Sequence, residues 1–468
     1  MATVRVFNHH VHSSYYWLAL VDAVLFVLAF YAGAYLYFYV EPGSFQNYVT
    51  QIPARALLFA VVTVLCLFAM GLYEPRMREG ASGILLRTAG GFVAAAMVMS
   101  AIFYALPELH LWRGIYFYTA LVAITANLIS RSAFTSLTDL EQFKSRVLVY
   151  GSGAAACTIT SSMRRKADRQ GFTIVGFVRV GGEESKIDGE RVINLRQPLD
   201  EYAKQTEIDQ IVVALDDKRA QTPTDELFQC RISGVKVLDL VNFFEREAGK
   251  ILVDFTTRNW MTFADGFKSS AASKLAKRWF DIAASFTLLM FSWPVMLLTA
   301  LAIWLEDGFG SPVFFLQERV GLHGKIFKVV KFRSMSVDAE GDGKARWATK
   351  NDNRVTRVGN FIRRTRIDEL PQILNVLAGD MAFIGPRPER PEFVKDLAQR
   401  IPYFNARHCV KPGITGWAQL CYPYGASEED ARQKLQFDLY YVKNHSMFLD
   451  FMIALNTVEV VLFGKGAR

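Results

Sequence analysis

Four apolar stretches near the start constrain this chain more than any other feature. Residues 15–40, 56–73, 88–106 and 114–130 are each close to the roughly 20 residues that a helix needs to cross a bilayer. The first carries one charge, Asp22, and the other three carry none. In hydrocarbon every backbone amide must be satisfied internally, so such runs predict a bundle of membrane helices. Composition agrees. With 51% hydrophobic and 21% charged residues, the 468-residue chain is neither disordered nor collagen-like, and 36 Phe, 18 Tyr and 8 Trp suit a bilayer protein with a large soluble part. No basic segment precedes the first run and no small-residue cleavage site follows it, so no cleaved signal peptide is expected.

The connections sort by charge. Arg76, Arg78 and Arg87 follow the second run, and Arg131, Lys144 and Arg146 follow the fourth, whereas residues 41–53 and 107–110 hold no Lys or Arg. The positive-inside rule therefore puts both ends of the bundle, and everything downstream, in the cytoplasm. Asp22 reads either as a functional carboxylate inside the membrane or as one packed against neighbouring helices. The net charge of +8 points to anionic partners. Nucleic acid is disfavoured, because the basic residues flank apolar segments and do not lie on an aromatic-laced soluble face. Cysteines 66, 157, 230, 409 and 421 are scattered, which supports neither a disulfide framework nor a zinc site.

Composition changes near Lys144. A short strand at 146–150 runs into Gly151-Ser152-Gly153-Ala154-Ala155-Ala156, which matches the glycine turn that lets backbone amides approach a pyrophosphate. Further strands at 172–178, 209–215 and 235–238, with helical stretches between, predict a small Rossmann-like parallel sheet. The second strand ends at Val178-Arg179-Val180, where the fingerprint expects an acid for a ribose; Glu183 and Glu184 come only after a glycine pair. Gly151 and Gly153 thus read as a nucleotide site or as a structural or regulatory turn. Short-chain dehydrogenase chemistry uses a Tyr with a Lys four residues on, and no Tyr here has that partner.

A fifth apolar run, residues 279–305, is interrupted by Ser292-Trp293-Pro294. Lys274, Lys277 and Arg278 precede it, and Arg319, Lys325, Lys328, Lys331 and Arg333 follow it. A full crossing would place one basic cluster outside, and Pro294 favours a bend. The expectation is a re-entrant helix–turn–helix that dips into the inner leaflet and returns; a kinked fifth span is the alternative.

The chemistry-bearing residues come last. After Lys331-Phe332-Arg333-Ser334-Met335, a short amphipathic helix at 356–365 leads through Arg363, Arg364 and Arg366 to Ile367-Asp368-Glu369-Leu370-Pro371. Pro371 suits a first helical turn and Gly379 a helix end, which predicts a helix from about Asp368 to Gly379. Alone, this reads as an acidic cap with a solvated basic face. Two further stretches change that. Pro386 and Pro388 stiffen the loop around Arg387, whose guanidinium then suits a forked phosphate contact. Lys411-Pro412-Gly413-Ile414-Thr415-Gly416-Trp417 forms a second rigid turn. Paired carboxylates and phosphate-binding cations at a membrane surface suit phosphoryl transfer on a lipid. Residues 447–463 are apolar but contain Asp450 and Glu459, as in an interfacial helix.

In order, Lys277-Arg278, the Pro-broken hairpin, SPVFFLQERVG, KFRSM, DELPQILNVLAGDM, IGPRP and KPGITGWAQL resemble the monotopic bacterial phosphoglycosyl transferases over residues 270–468. The four N-terminal runs and Rossmann-like segment resemble the large subfamily, the polyprenyl-phosphate hexose-1-phosphate transferases, and residues 388–394 its exopolysaccharide branch. The resemblance implies a membrane protein of α plus α/β class in three parts: a four-helix transmembrane bundle (1–140), a Rossmann-like cytosolic domain (145–265), and a mainly helical catalytic domain (270–468) with a re-entrant hairpin at 279–305. It implies transfer of a hexose 1-phosphate, glucose or galactose, from a UDP-sugar to undecaprenyl phosphate with release of UMP. This would be the first membrane step of exopolysaccharide, capsule or O-antigen synthesis, on the cytoplasmic face of the bacterial inner membrane. Asp368 would be the nucleophile of a covalent phospho-Asp sugar, with Glu369 and Asp368 as Mg²⁺ ligands. Lys331, Arg333, Arg364, Arg366, Arg387 and Lys411 would contact phosphate or uridine, and a homodimer is implied. Two rivals are a membrane-bound nucleotide-sugar dehydratase, which lacks its Tyr/Lys pair here, and a non-catalytic export scaffold, against which the intact Asp368-Glu369 argues.

Overall fold

The structure, a computed structural model, describes residues 3–6, 9–40, 52–73, 81–109, 112–138, 144–163, 169, 171–180, 184–187, 191–216, 222–267, 270–308, 310–336, 354–422, 425 and 427–463. It divides into two compact units, the first essentially His10–Ala248 and the second Gly249–Arg468.

In the first unit the apolar runs form α1 (Ser13–Val40), α2 (Ile52–Ala69), α3 (Ala81–Ala105) and α4 (Arg113–Thr138). Helix α1 packs on α4 and α2, and α2 packs on α3, with Phe26, Phe30, Phe59 and Phe92 meeting between them. Ser14–Tyr39, Ile52–Ala69 and Gly83–Ala105 are long and apolar enough to cross a membrane. Helix α4, expected as a fourth span, is not among them: it is less apolar, and its Thr119, Asn127 and Arg131 are buried. Asp22 takes the packed reading. Its carboxylate is buried, accepts from the Tyr73 hydroxyl (2.8 Å) and the Ser130 hydroxyl (3.0 Å), and pairs with Arg131 at 3.4 Å. Arg87 donates to the Met70 carbonyl. Two of the arginines counted for orientation therefore hold the bundle together internally; Arg76, Arg78 and Glu183 lie outside the described residues.

The same unit contains a five-stranded, all-parallel sheet: β1 (Ser145–Tyr150), β2 (Phe172–Val178), β3 (Val192–Ile193), β4 (Gln210–Val213) and β5 (Lys236–Asp239). The strands lie in the order β3-β2-β1-β4-β5, that of the first five strands of a doubly wound sheet, with the order reversing between β1 and β4. Strand β3, too short for an alternating pattern, was not legible in the sequence. Helices α5 (Ala154–Ser162), α6 (Leu199–Gln205), α7 (Thr224–Ile232) and α8 (Leu240–Ala248) accompany the sheet.

The second unit begins earlier than the expected boundary at 265. Ile251, Leu252 and Val253 are buried in it, Trp417 Nε1 donates to the Gly249 carbonyl (2.8 Å), and the Lys443 ammonium lies over the Trp260 ring. After α9 (Arg258–Phe263) comes α10 (Ala271–Asp307), 37 residues long, capped by Ser270 and long and apolar enough to cross a membrane. The helix–turn–helix expected at 279–305 is one unbroken helix here, continuous through Ser292 and Pro294. Both of its ends nevertheless dock on the same fold. Near its start, Arg278 donates to the carbonyls of Val376 (2.6 Å) and Leu377 (2.7 Å). At its end, Asp307 pairs with Arg333 (2.6 Å), and Glu306 accepts from the amides of Arg357 and Val358. Between the ends, Phe286, Met290, Phe291, Trp293, Leu297 and Leu298 are exposed.

The remaining elements are an antiparallel hairpin, β6 (Phe314–Val320) and β7 (Ile326–Phe332), then α11 (Arg357–Arg364), α12 (Gln372–Ala378), β8 (Ala382–Ile384), α13 (Pro391–Arg400), β9 (Gly413–Thr415), α14 (Trp417–Cys421), α15 (Glu428–Asn444) and α16 (Met447–Phe463). Two small apolar clusters hold them: Val329, Val376 and Met381, and Ile303, Val313, Phe332 and Ile362. Strands β8 and β9 pair in parallel, which joins the IGPRP and KPGITGW segments backbone to backbone. A Cβ on Gly413 would lie 2.1 Å from the Gly385 nitrogen, so the approach requires glycine. Helix α16 keeps Phe451 and Val458 exposed, but Asp450 is buried in the fold and does not face an interface.

Candidate active site

Asp368 and Glu369 stand in a single 3-10 turn, Ile367–Glu369. Helix α11 ends at Thr365, and Arg366 then adopts the left-handed conformation (φ 61°), sparsely populated for a residue with a Cβ, and redirects the chain. Helix α12 therefore starts at Gln372, after Pro371, and not near Asp368 as expected; it ends at Gly379 (φ 95°) as the glycine predicted. The turn gives the two carboxylates opposite surroundings. Glu369 accepts a forked contact from Arg387, 2.5 Å from Nη2 to Oε1 and 3.3 Å from Nη1 to Oε2. Lys331 Nζ (3.5 Å) and Arg366 Nη1 (3.6 Å) also approach Oε1. Asp368 is buried, and its Oδ1 has no hydrogen-bond partner among the described residues.

These surroundings drive the two acids apart. Burial, followed by the Glu369 charge, pushes Asp368 up to about 6. Burial also acts on Glu369, but the Arg387 and Lys331 cations outweigh it and hold that carboxyl well below the usual range. Burial lowers Lys331, and Glu369 works against that shift.

Arg387 owes its position to more than its flanking prolines. Four successive carbonyls accept hydrogen bonds: Pro386 from the Gly413 amide (3.0 Å), Arg387 from Arg407 Nη2 (2.9 Å), Pro388 from Arg319 Nη1 (2.9 Å) and Glu389 from the Val320 amide (2.9 Å). Arg407 also pairs with Asp438 of α15 at 2.8 Å, both side chains buried. Ahead of the loop, Lys277 Nζ reaches Asp281 (2.9 Å), the Ile384 carbonyl (3.1 Å) and Asp450 (3.3 Å), and the Tyr441 hydroxyl lies within hydrogen-bond distance of the last two. Arg319, Arg407, Asp438, Tyr441 and Asp450 were not singled out as site residues. Arg319 alone had a signal, its place inside the SPVFFLQERVG stretch.

Removing Arg407 leaves Asp438 buried without its cation. Arg407→Ala is expected to destabilise the protein by about 3–5 kcal/mol, read as a lower thermal transition of the purified protein. Burial already pushes Asp438 up to about 6 despite Arg407. Without the cation Asp438 titrates higher still, so the loss relative to the native protein should shrink as pH falls towards about 6, below which both proteins gain alike.

Other sequence candidates stand elsewhere. Arg333 is buried against Asp307, and Arg364 is exposed on α11. The Lys411 ammonium lies beside Arg278 and Gly379, at the carbonyl end of α12. Ser292 and Pro294 lie within α10, and Gly151 and Gly153 follow β1 in the other unit. No group of three or more metal-ligating side chains occurs among the described residues. The adjacent carboxylates are still a donor set for a hard divalent cation, with Asp368 Oδ1 its open atom. The whole is a buried, unpartnered carboxylate oxygen beside a clamp of three cations, suited to a nucleophile that attacks a phosphorus.

Residues 272–464 match the family described as bacterial sugar transferase. The UDP-glucose:undecaprenyl-phosphate glucose-1-phosphate transferase of Escherichia coli (strain K12) is 34% identical over 374 residues, 77% of each chain. That of Xanthomonas campestris pv. campestris is 30% identical over 441 residues, 89% of each chain. The UDP-N-acetylgalactosamine-undecaprenyl-phosphate N-acetylgalactosaminephosphotransferase of Aeromonas hydrophila is 42% identical over 242 residues, 52% of this chain and 56% of that protein, so the match spans little more than half of that relative's length.

Proposed function

The chain belongs to the bacterial polyprenyl-phosphate hexose-1-phosphate transferase family, and on that premise we propose that it moves a hexose 1-phosphate from a UDP-sugar to undecaprenyl phosphate and releases UMP. The observation that carries this reading is the unpartnered Oδ1 of buried Asp368 next to the Glu369–Arg387–Lys331 clamp. An Asp368 oxygen attacks the phosphorus that bears the sugar. The bond from that phosphorus to the UMP oxygen breaks, UMP leaves, and a phospho-Asp sugar remains. An oxygen of the lipid phosphate then attacks the same phosphorus and returns Asp368 as a carboxylate. The nucleophile needs no separate base once it is ionised.

Charge on the transferring phosphoryl is met by Arg387, Lys331 and Arg366, which Glu369 holds in place before substrate arrives. Asp368 and Glu369 would hold a Mg²⁺, which would supply further charge neutralisation during transfer. Arg333 and Lys411, which the resemblance implied as phosphate contacts, serve in this reading to anchor α10 and α12. Arg364, exposed, is left for a lipid head group.

The acceptor keeps its tail in the bilayer, so the dyad must work at the interface. A bend of the continuous α10 at Pro294, which lets it enter the inner leaflet and return, is supported by its basic flanks, its exposed apolar middle and the docking of both ends on one fold. The dyad then faces the cytoplasm at the inner membrane, where the reaction begins assembly of a surface polysaccharide.

Above about pH 6 Asp368 is ionised, and each unit below that removes about nine-tenths of its nucleophilic form. The value of kcat/KM should thus climb with unit slope up to about pH 6 and level off above it, measured as initial UMP release. The function is tested with purified protein in detergent, Mg²⁺, undecaprenyl phosphate and UDP-glucose, UDP-galactose or UDP-N-acetylgalactosamine. These follow the sugars named for relatives. Lipid-dependent turnover with release of UMP is expected from one of them, and release of UDP would sink the proposal.

A further inference from the structure

We propose that the glycine-rich turn after β1 is closed to nucleotides because the chain supplies its own anion there, the carboxylate of Asp216. In a dinucleotide-binding sheet the first amides of the helix after β1 face a pyrophosphate. Here the Ala154 amide donates to Asp216 Oδ2 (2.9 Å) and the Ala155 amide to Oδ1 (2.7 Å). Asp216 lies just beyond β4, the strand next to β1 on the other side of the switch in strand order, so its side chain enters from where a ligand would lie.

The glycines are accounted for by atoms of the chain. A Cβ on Gly153 would lie 2.3 Å from Asp216 Oδ2, so this residue must be glycine to admit the carboxylate. Gly151 has φ 129°, and a Cβ there would meet the Ala214 carbonyl at 2.2 Å. Gly153 is the position whose small size the fingerprint attributes to an approaching phosphate, and Gly151 the one it attributes to the tight turn. The Lys186 amide, beyond β2, also donates to the Ser152 carbonyl (2.9 Å) and holds the turn from its other side. A pyrophosphate would have to displace a carboxylate of its own sign from both amides, and β2 ends at Val178 with Arg179 next, not with an acid for a ribose. The motif is thus a self-capped joint between β1, α5 and β4. This inference is independent of the transferase reading.

Hydrogen exchange on the full-length protein in detergent reads the turn locally, in peptides covering residues 151–163, without interference from the transferase site. With millimolar NAD⁺, ADP or inorganic phosphate the native protein should show no slowing there. Asp216→Ala should exchange the same peptides roughly tenfold faster and be slowed again by inorganic phosphate. Slowing of the native turn by NAD⁺ or ADP would overturn the proposal. So would an Asp216→Ala turn that phosphate does not slow while β1 and β4 stay protected. If those strands lose protection, the test moves to Asp216→Asn, which keeps one acceptor oxygen; its amide lacks the charge, so phosphate should still slow the turn. The native-protein arm depends on neither variant.

Discussion

Asp368→Asn is expected to lower UMP release by at least about a thousandfold while leaving the protein folded, because removing a nucleophile eliminates the covalent route. Asn keeps the shape of the side chain and removes the lone-pair charge that attacks phosphorus. Asp368 makes none of the contacts that hold Arg387, Lys331 and Arg366 on Glu369, so the clamp survives the change. The native carboxylate is also held above its ordinary range by burial, so a neutral amide removes an unfavourable charge. The thermal transition should therefore hold or rise as activity disappears. Parallel loss of activity and stability would instead mark Asp368 as a structural residue.

The second large effect is expected at Arg387. Arg387→Ala removes the forked contact to Glu369 and the main cation of the clamp, and kcat/KM should fall by about a hundredfold to a thousandfold, mostly in kcat. Arg387→Lys restores the charge without the fork and should remain at least about tenfold below the native enzyme. The pH profile separates this role from a structural one. Arg387 lowers the Asp368 pKa, so its removal should carry the acidic limb above pH 6. An unmoved limb would mean that Arg387 does not share the electrostatics of the dyad.

Much of this site was legible because its members lie in short contiguous motifs. Asp368 and Glu369 are adjacent, and Arg387 announces itself between two prolines. What supports them was not legible. Arg319, Arg407 and Asp438 come from a strand, a 3-10 helix (Phe404–Cys409) and an α-helix, and only the fold brings two of those side chains to the carbonyls of Arg387 and Pro388. The dyad turn was misread as the start of α12, since the left-handed backbone at Arg366 leaves no mark in composition. The glycine turn shows the opposite failure. Gly151 and Gly153 fit a nucleotide fingerprint, yet the carboxylate that explains Gly153 lies more than 60 residues away in sequence. In α10, the proline that favoured a break is carried inside an unbroken helix.

The most direct test of the central claim omits the acceptor. Protein mixed with a competent UDP-sugar and Mg²⁺, but no undecaprenyl phosphate, should release UMP in a single burst stoichiometric with enzyme. Mass spectrometry of the quenched digest should then find one hexosyl phosphate on the peptide containing Asp368, and added undecaprenyl phosphate should discharge it. Release of UMP only when the lipid is present, with the Asp368 peptide unmodified throughout, would contradict the account and mean that the lipid phosphate attacks the donor directly.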